Sequence, residues 1–264
     1  MFLDQDEAIL NNELIQNGYI IRPVDNVEAL NKIRDFYLEI IKSHFKINEP
    51  KSDNNLLENI HHYISSVKLN EFRLNVINEM NSYSELRSLY YLMCKNILNA
   101  VVGNELAMQS RINLSIQLPE DDSSLLQVHS DTWSGDSPYE VVVWLPLVDC
   151  YDTKSMYILP QKYLNEINHF FDGSGEKDSE DLFKSIEGKV KYLEVKYGNV
   201  LIFNQSLPHG NRVNRESETR WTLNCRFKSL FSPYGDKKIG EFFTPITLRA
   251  ASRIGMTYKF PKVT

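Results

Sequence analysis

Apolar residues recur at helical spacing through the first hundred positions and at strand spacing after about residue 105. A first helix is predicted over 4–16 and ends at Gly18. The short β-branched run 19–24 reads as a strand closed by a turn. Asp25, with Glu28 three residues on, has the form of a capping box. It opens a helix to about His44, with Leu30, Ile33, Tyr37, Ile40 and Ile41 on one face. Composition makes 49–55 a loop. Helical spacing returns from about Leu56 and again over 68–80. Ser82 and Glu85 repeat the capping-box pattern, opening a helix through Leu86, Leu89, Leu92, Ile97 and Val101 to a stop at Gly103.

Strand candidates then follow at 112–118, 125–129, 140–148, 155–159, 190–195, 199–203 and 219–228, with a short one from His209 to Val213. Turn-forming clusters such as Gly135-Asp136-Ser137-Pro138 separate them. About eight strands at this spacing predict two facing sheets closed as a jelly roll, a double-stranded β-helix. The expected class is therefore α+β, mainly β, with an N-terminal helical part packed on one sheet. One domain over 1–264 is expected: 1–105 mostly helical, 106–230 the jelly-roll core, and 231–264 a C-terminal extension. The polar stretch 162–184, containing Gly173-Ser174-Gly175, is too long for a hairpin turn and reads as a lid or partly helical flap. The apolar stretch 242–261 packs either across the barrel or on a partner chain.

Composition narrows the function classes. A net charge of −6 argues against a nucleic-acid binder, which carries a basic footprint. Cys94, Cys150 and Cys225 are an odd number without CxxC spacing, so neither a disulfide framework nor a zinc ribbon is expected. The N-terminus lacks a signal-peptide pattern and no apolar run reaches membrane-spanning length. A cytoplasmic protein acting on a small molecule is expected, with a homo-oligomer left open.

The chemistry concentrates in four residues. His129 and Asp131 are spaced i, i+2, so an extended backbone would aim both side chains to one face. His209 lies just past the buried-strand pattern 199–203. Two histidines and one carboxylate form a facial set that holds Fe(II) and leaves the opposite face open for a cosubstrate and O2. Arg220, eleven residues past His209, is placed to clamp a carboxylate. A His-x-Asp pair alone arises by chance; the ordered set after a strand-rich interval is more specific. His44, His61, His62 and His169 read as surface or packing residues.

The order His-x-Asp, distant His, then Arg resembles the Fe(II)/2-oxoglutarate-dependent dioxygenases, and the step to Arg220 is similar to the phytanoyl-CoA dioxygenase branch. Across 128–228, the blocks Ser137-Pro138-Tyr139-Glu140 and Met156-Tyr157-Ile158-Leu159-Pro160 resemble bacterial oxygenases of carbohydrate-biosynthesis clusters. The resemblance implies His129, Asp131 and His209 as Fe(II) ligands and Arg220 as the seat of the 2-oxoglutarate 5-carboxylate. Thr222 or Asn211 would add a hydrogen bond there. Asn113 and Gln127 would contact the iron-bound end of the cosubstrate. It also implies O2-dependent hydroxylation or another oxidation, without halogenation, because halogenases of this type lack the carboxylate. Trp133, Tyr139, Glu140, Tyr157, Gln205 and Arg226 suit a carbohydrate or nucleotide-linked sugar substrate. Two other classes fit the barrel. A cupin-like metal-dependent isomerase or epimerase would need no 2-oxoglutarate. A non-catalytic glycan-binding barrel would be indifferent to His129→Ala.

Overall fold

A computed structural model describes residues 2–47, 53–170 and 178–261. Its helices follow the predicted periodicity but differ at their caps. Helix α1 (Gln5–Asn17) is opened by Asp4, which accepts from the Glu7 amide at 2.8 Å. It is closed by Gly18 at φ 77, and a Cβ there would collide with Leu207. The positive φ favours glycine at this junction into β1 (Tyr19–Pro23), and a side chain there would also displace the end of Leu207. Helix α2 (Val27–Phe45) is capped by Asn26 and not by Asp25. Asn26 accepts from the Ala29 amide at 2.9 Å, while Asp25 accepts from the Asn96 amide at 2.6 Å. Two adjacent Asx residues look alike in sequence, and a contact 71 residues away separates their roles. Asn26→Ala is expected to lower stability by about 1 kcal/mol, read from the urea midpoint at unchanged m-value.

Helix α3 (Asp53–Glu58) begins inside the stretch predicted as loop. Helices α4 (Ser66–Ser82), α5 (Leu86–Leu92) and α6 (Lys95–Val101) complete the helical part. The second capping box does not form: Ser82 Oγ donates back to the Asn78 carbonyl, and Glu85 makes no cap bond. The single helix predicted beyond it is broken at Cys94, whose φ of −136 is not helical.

The strands are β2 (Leu106–Gln109), β3 (Asn113–Gln117), β4 (Glu140–Pro146), β5 (Tyr157–Ile158), β6 (Lys191–Tyr192), β7 (Asn199–Asn204), β8 (His209–Gly210), β9 (Arg220–Ser229) and β10 (Phe243–Pro245). Helix α7 (Ser179–Ile186) precedes β6 and helix α8 (Ala250–Thr257) follows β10. One antiparallel sheet runs β1-β7-β4-β9-β2-β10, with β3 also paired to β9; a smaller one runs β6-β5-β8. Strands β2 and β10 were not foreseen. Both are short, and β2 is buried on both faces, so no alternation betrays it. Strand β10 pairs with β2, so this part of the C-terminal stretch packs on its own sheet, whereas α8 buries no residue.

The expected strand at 125–129 is reduced to one bridge between His129 and His209. It stops there because a 3-10 turn begins at Asp131. In the polar insertion, a 3-10 segment (Gln161–Phe170) and α7 supply structure, while Gly173-Ser174-Gly175 and the side chain of His169 lie outside the described residues. No helix among the described residues is long and apolar enough to cross a membrane.

The helical layer and the large sheet share one core. Trp221 is fully buried, 6.1 Å in ring-centroid distance from both Tyr37 and Phe72, and its indole donates to the Leu57 carbonyl at 2.9 Å. The Thr219 amide donates to the Glu58 carbonyl at 2.7 Å. The start of β9, and with it Arg220, is therefore fixed by the helices on one side and β3 on the other.

Candidate metal centre

Backbone pairing brings the histidines together. His129 and His209 exchange both amide–carbonyl hydrogen bonds, at 3.0 and 2.8 Å, and their rings lie 4.3 Å apart. Ser130 is extended, so Asp131 emerges on the side of His129, and the Asp131 amide donates to the Gln205 carbonyl at 3.1 Å. One ligand atom each from His129, Asp131 and His209 falls within 4.8 Å of the other two, a spacing that one cation can bridge.

The tautomers are set by the backbone. His129 Nδ1 pairs with the Gln127 carbonyl and His209 Nδ1 with the Leu207 carbonyl, each at 2.8 Å. A carbonyl only accepts, so each Nδ1 carries the proton and each Nε2 keeps its lone pair for a metal. Burial, reinforced by neighbouring His129, brings the His209 pKa down to about 4. Burial alone would raise the Asp131 carboxyl, but His129, at 3.5 Å, and Arg226 hold it well below the usual carboxylate range. His129 is pulled down by burial but rises on balance through Asp131 and the Gln127 carbonyl.

Gly210 makes the seat tight. A Cβ there would stand 2.6 Å from both the Leu126 carbonyl oxygen and the Tyr157 hydroxyl. Gly210→Ala is expected to cost about 1–3 kcal/mol through a forced shift of the loop beside His209, measured by denaturant unfolding of the metal-free protein.

The three residues open onto a cavity of about 490 Å³, ordinary for a small-molecule site. Val142, Trp144, Met156 and Phe203 supply apolar wall. Arg220 lines it too and is almost fully buried. Its Nη2 donates to Ser115 Oγ at 3.0 Å and its Nη1 to the Ser155 carbonyl at 3.5 Å. Among the described residues Nε has no partner, and neither has the buried Oγ1 of Thr222, a residue lining the same cavity. Burial brings the Arg220 pKa down to about 10. The carboxylates near it in sequence are engaged elsewhere: Glu218 pairs with Lys154 at 2.5 Å and Glu216 accepts from Thr153.

Other expected site residues divide. Asn113 lines the cavity and donates to Asn224 Oδ1 at 2.9 Å. Asn211 also lines it, but both ends of its amide brace the loop, to the Leu126 amide and the Ser124 carbonyl. Gln127 points away from the cavity to Ser179 of α7, and only its carbonyl serves the site. Of the residues expected at a substrate, Arg226 alone lines the cavity. It contacts Asp131 Oδ1 at 2.8 Å, so it positions the carboxylate. Gln205 and Glu140 are buried beneath it: Gln205 accepts from Arg226 Nε at 3.1 Å and donates to Glu140 at 3.0 Å. Tyr157 is buried against Phe183 and Tyr192. Trp133 and Tyr139 are exposed and outside the cavity lining. None of these five lines the cavity: Trp133 lies on the turn that follows Asp131, while Glu140, Gln205 and Tyr157 are taken up by internal hydrogen bonds and packing. Two contributors were missed: Gln109, which accepts from Arg226 at 3.2 Å, and Arg73 of α4, which lines the cavity from the helical layer.

No family model matches the sequence, and no curated protein does. Among solved structures the fold is similar to the non-heme monooxygenase ThoJ in a nickel complex, with a TM-score of 0.56 at 12% identity over 92% of this chain and 85% of that one. It is similar to SnoK, a non-heme alpha-ketoglutarate-dependent carbocyclase from nogalamycin biosynthesis, with a TM-score of 0.55 at 14% identity over 93% and 97%. HygX from Streptomyces hygroscopicus, with nickel and 2-oxoglutarate bound, gives a TM-score of 0.52 at 14% identity over 88% and 89%. At these identities the likeness is one of fold.

Proposed function

We propose that this chain is a non-haem iron(II)/2-oxoglutarate-dependent dioxygenase of the phytanoyl-CoA dioxygenase-like type, a single jelly-roll domain that oxidises a small polar substrate of carbohydrate or sugar-nucleotide class. The observation that carries the reading is Arg220. Among the described residues the buried guanidinium has no carboxylate partner, and neither its Nε nor the Thr222 hydroxyl of the same cavity has a hydrogen-bond partner, which is costly unless a ligand completes them. A planar carboxylate matches that donor fork. The donor set of His129, Asp131 and His209 suits Fe(II) and leaves positions for a chelating ligand. HygX, of similar fold, carries 2-oxoglutarate with nickel.

Bound together, Fe(II) and 2-oxoglutarate would activate O2, the oxidant, one oxygen atom going into succinate as the cosubstrate loses CO2 and the other serving oxidation of the substrate. The chain's own part is placement. The Gln127 and Leu207 carbonyls fix the imidazoles, and Arg226 orients Asp131. Arg220 and Thr222 hold the distal carboxylate, and the apolar wall of Val142, Trp144 and Phe203 limits water. Iron-loaded protein with 2-oxoglutarate in air is expected to release succinate faster in the presence of a matching sugar nucleotide. Succinate release that stays at the protein-free background across substrates would overturn the assignment.

A further inference from the structure

Among the described residues, three guanidinium groups, Arg73, Arg220 and Arg226, and one carboxylate, Asp131, line the cavity. That is an excess of two positive charges inside a chain whose net charge is −6. A ferrous ion and doubly ionised 2-oxoglutarate cancel each other, so the excess is left for the substrate to meet. Arg226 is paired with Asp131 and Arg220 is the proposed cosubstrate seat. Arg73 remains.

Arg73 comes from α4 and, among the described residues, is the one from the helical part that lines the cavity. Its Nη2 donates to the Ile116 carbonyl and to Ser124 Oγ, both neutral acceptors. The carboxylate of Asp121 is one link removed, through Ser124, and accepts from Ser123 and Ser124. Burial lowers the Arg73 pKa, partly offset by Asp121. Arg73 and Arg220 touch adjacent residues of β3, Ile116 and Ser115, yet they stand at different depths. Arg220 is 3% exposed, whereas Arg73 is half-buried beside Leu125 and Leu126, which are 39% and 52% exposed. Arg220 thus sits at the more buried end of the cavity and Arg73 at the more exposed end.

We propose that Arg73 binds an anionic group of the substrate, a phosphoryl or carboxylate group, at the cavity rim while Arg220 holds 2-oxoglutarate below. This rests on the oxygenase reading for the identity of the lower ligand. It narrows the substrate to acidic or phosphorylated small molecules, among which a sugar nucleotide qualifies through its phosphates. It also gives the helical part a direct role in recognition, beyond supporting the sheet.

The test is calorimetric and needs no turnover. Protein saturated with Ni(II) and 2-oxoglutarate is titrated with inorganic phosphate and, separately, with acetate, using wild type, Arg73→Gln and Arg73→Lys. Wild type is expected to bind one of the two, and the preferred one identifies the group as phosphoryl or carboxylate. Arg73→Gln should weaken that binding by about tenfold or more, Arg73→Lys by less, with 2-oxoglutarate affinity unchanged within about twofold. The proposal is overturned if wild type binds neither anion, if Arg73→Gln binds as wild type does, or if Arg73→Gln weakens 2-oxoglutarate as much as loss of Arg220. A separate 2-oxoglutarate titration into Ni(II)-loaded wild type tests the oxygenase reading. Its failure would leave the anion titrations of the Ni(II)-loaded protein still reporting on Arg73.

Discussion

Replacing His209 by alanine, or Asp131 by asparagine, is expected to weaken Fe(II) binding by more than about 100-fold and to abolish 2-oxoglutarate turnover. Loss of a residue that merely orients a ligand already costs 10- to 100-fold in metal affinity, and loss of the ligand itself costs more. The two substitutions differ in what they leave behind. His209→Ala removes a buried, neutral imidazole and a ring packed 4.9 Å from Phe203, so some stability is lost with the metal site. Asp131→Asn keeps the shape but removes the charge that Arg226 faces at 2.8 Å. Arg226 retains Asp136, 3.5 Å away, and its bonds to Gln109 and Gln205, so the fold is expected to survive. Equilibrium dialysis against Fe(II) under nitrogen, beside thermal unfolding of the same samples, separates metal loss from unfolding. Retention of wild-type iron affinity by Asp131→Asn would remove the aspartate from the coordination set.

The second large effect concerns Arg220. Arg220→Met is expected to weaken 2-oxoglutarate binding by about 100-fold or more, because truncating one side of a buried, hydrogen-bonded charge pair costs about 2–5 kcal/mol. Iron affinity should stay near wild type, since Arg220 contacts Ser115 and Ser155 and none of the three proposed ligands. The sign of the stability change is the more telling readout. In ligand-free protein the guanidinium is buried with Nε unpartnered, so an apolar residue of similar length is expected to leave stability unchanged or raise it. Weaker cosubstrate binding with a higher melting temperature is the signature of a residue kept for a ligand. Parallel losses of cosubstrate binding and stability would make Arg220 a structural residue.

Much of this was legible in the sequence because it depends on local pattern. The buried faces of α2 and α4 and the long apolar strands β4, β7 and β9 write their periodicity into the chain. Of the four residues of the proposed iron and cosubstrate site, His209 and Arg220 each begin a strand with predictable neighbours, whereas His129 and Asp131 were legible from their i, i+2 spacing alone, since the strand expected there is reduced to one bridge. What failed depended on contacts distant in sequence. Asp25 looked like a cap until Asn96 claimed its carboxylate, and Asn211 looked like a cosubstrate ligand although it fastens residues 124–126. Glu140, Gln205 and Arg226 read as separate polar residues, yet they form one buried chain that ends on Asp131. Arg73 carried no usable signal, since an arginine next to Phe72 on an amphipathic helix reads as ordinary flank.

Anaerobic addition of Fe(II) and then 2-oxoglutarate to metal-free protein probes the proposed iron and cosubstrate sites together. A weak visible charge-transfer band is expected in wild type, saturating at one equivalent of each, and is expected to be lost in His209→Ala. Its absence from folded wild-type protein shown to hold iron would contradict the assignment.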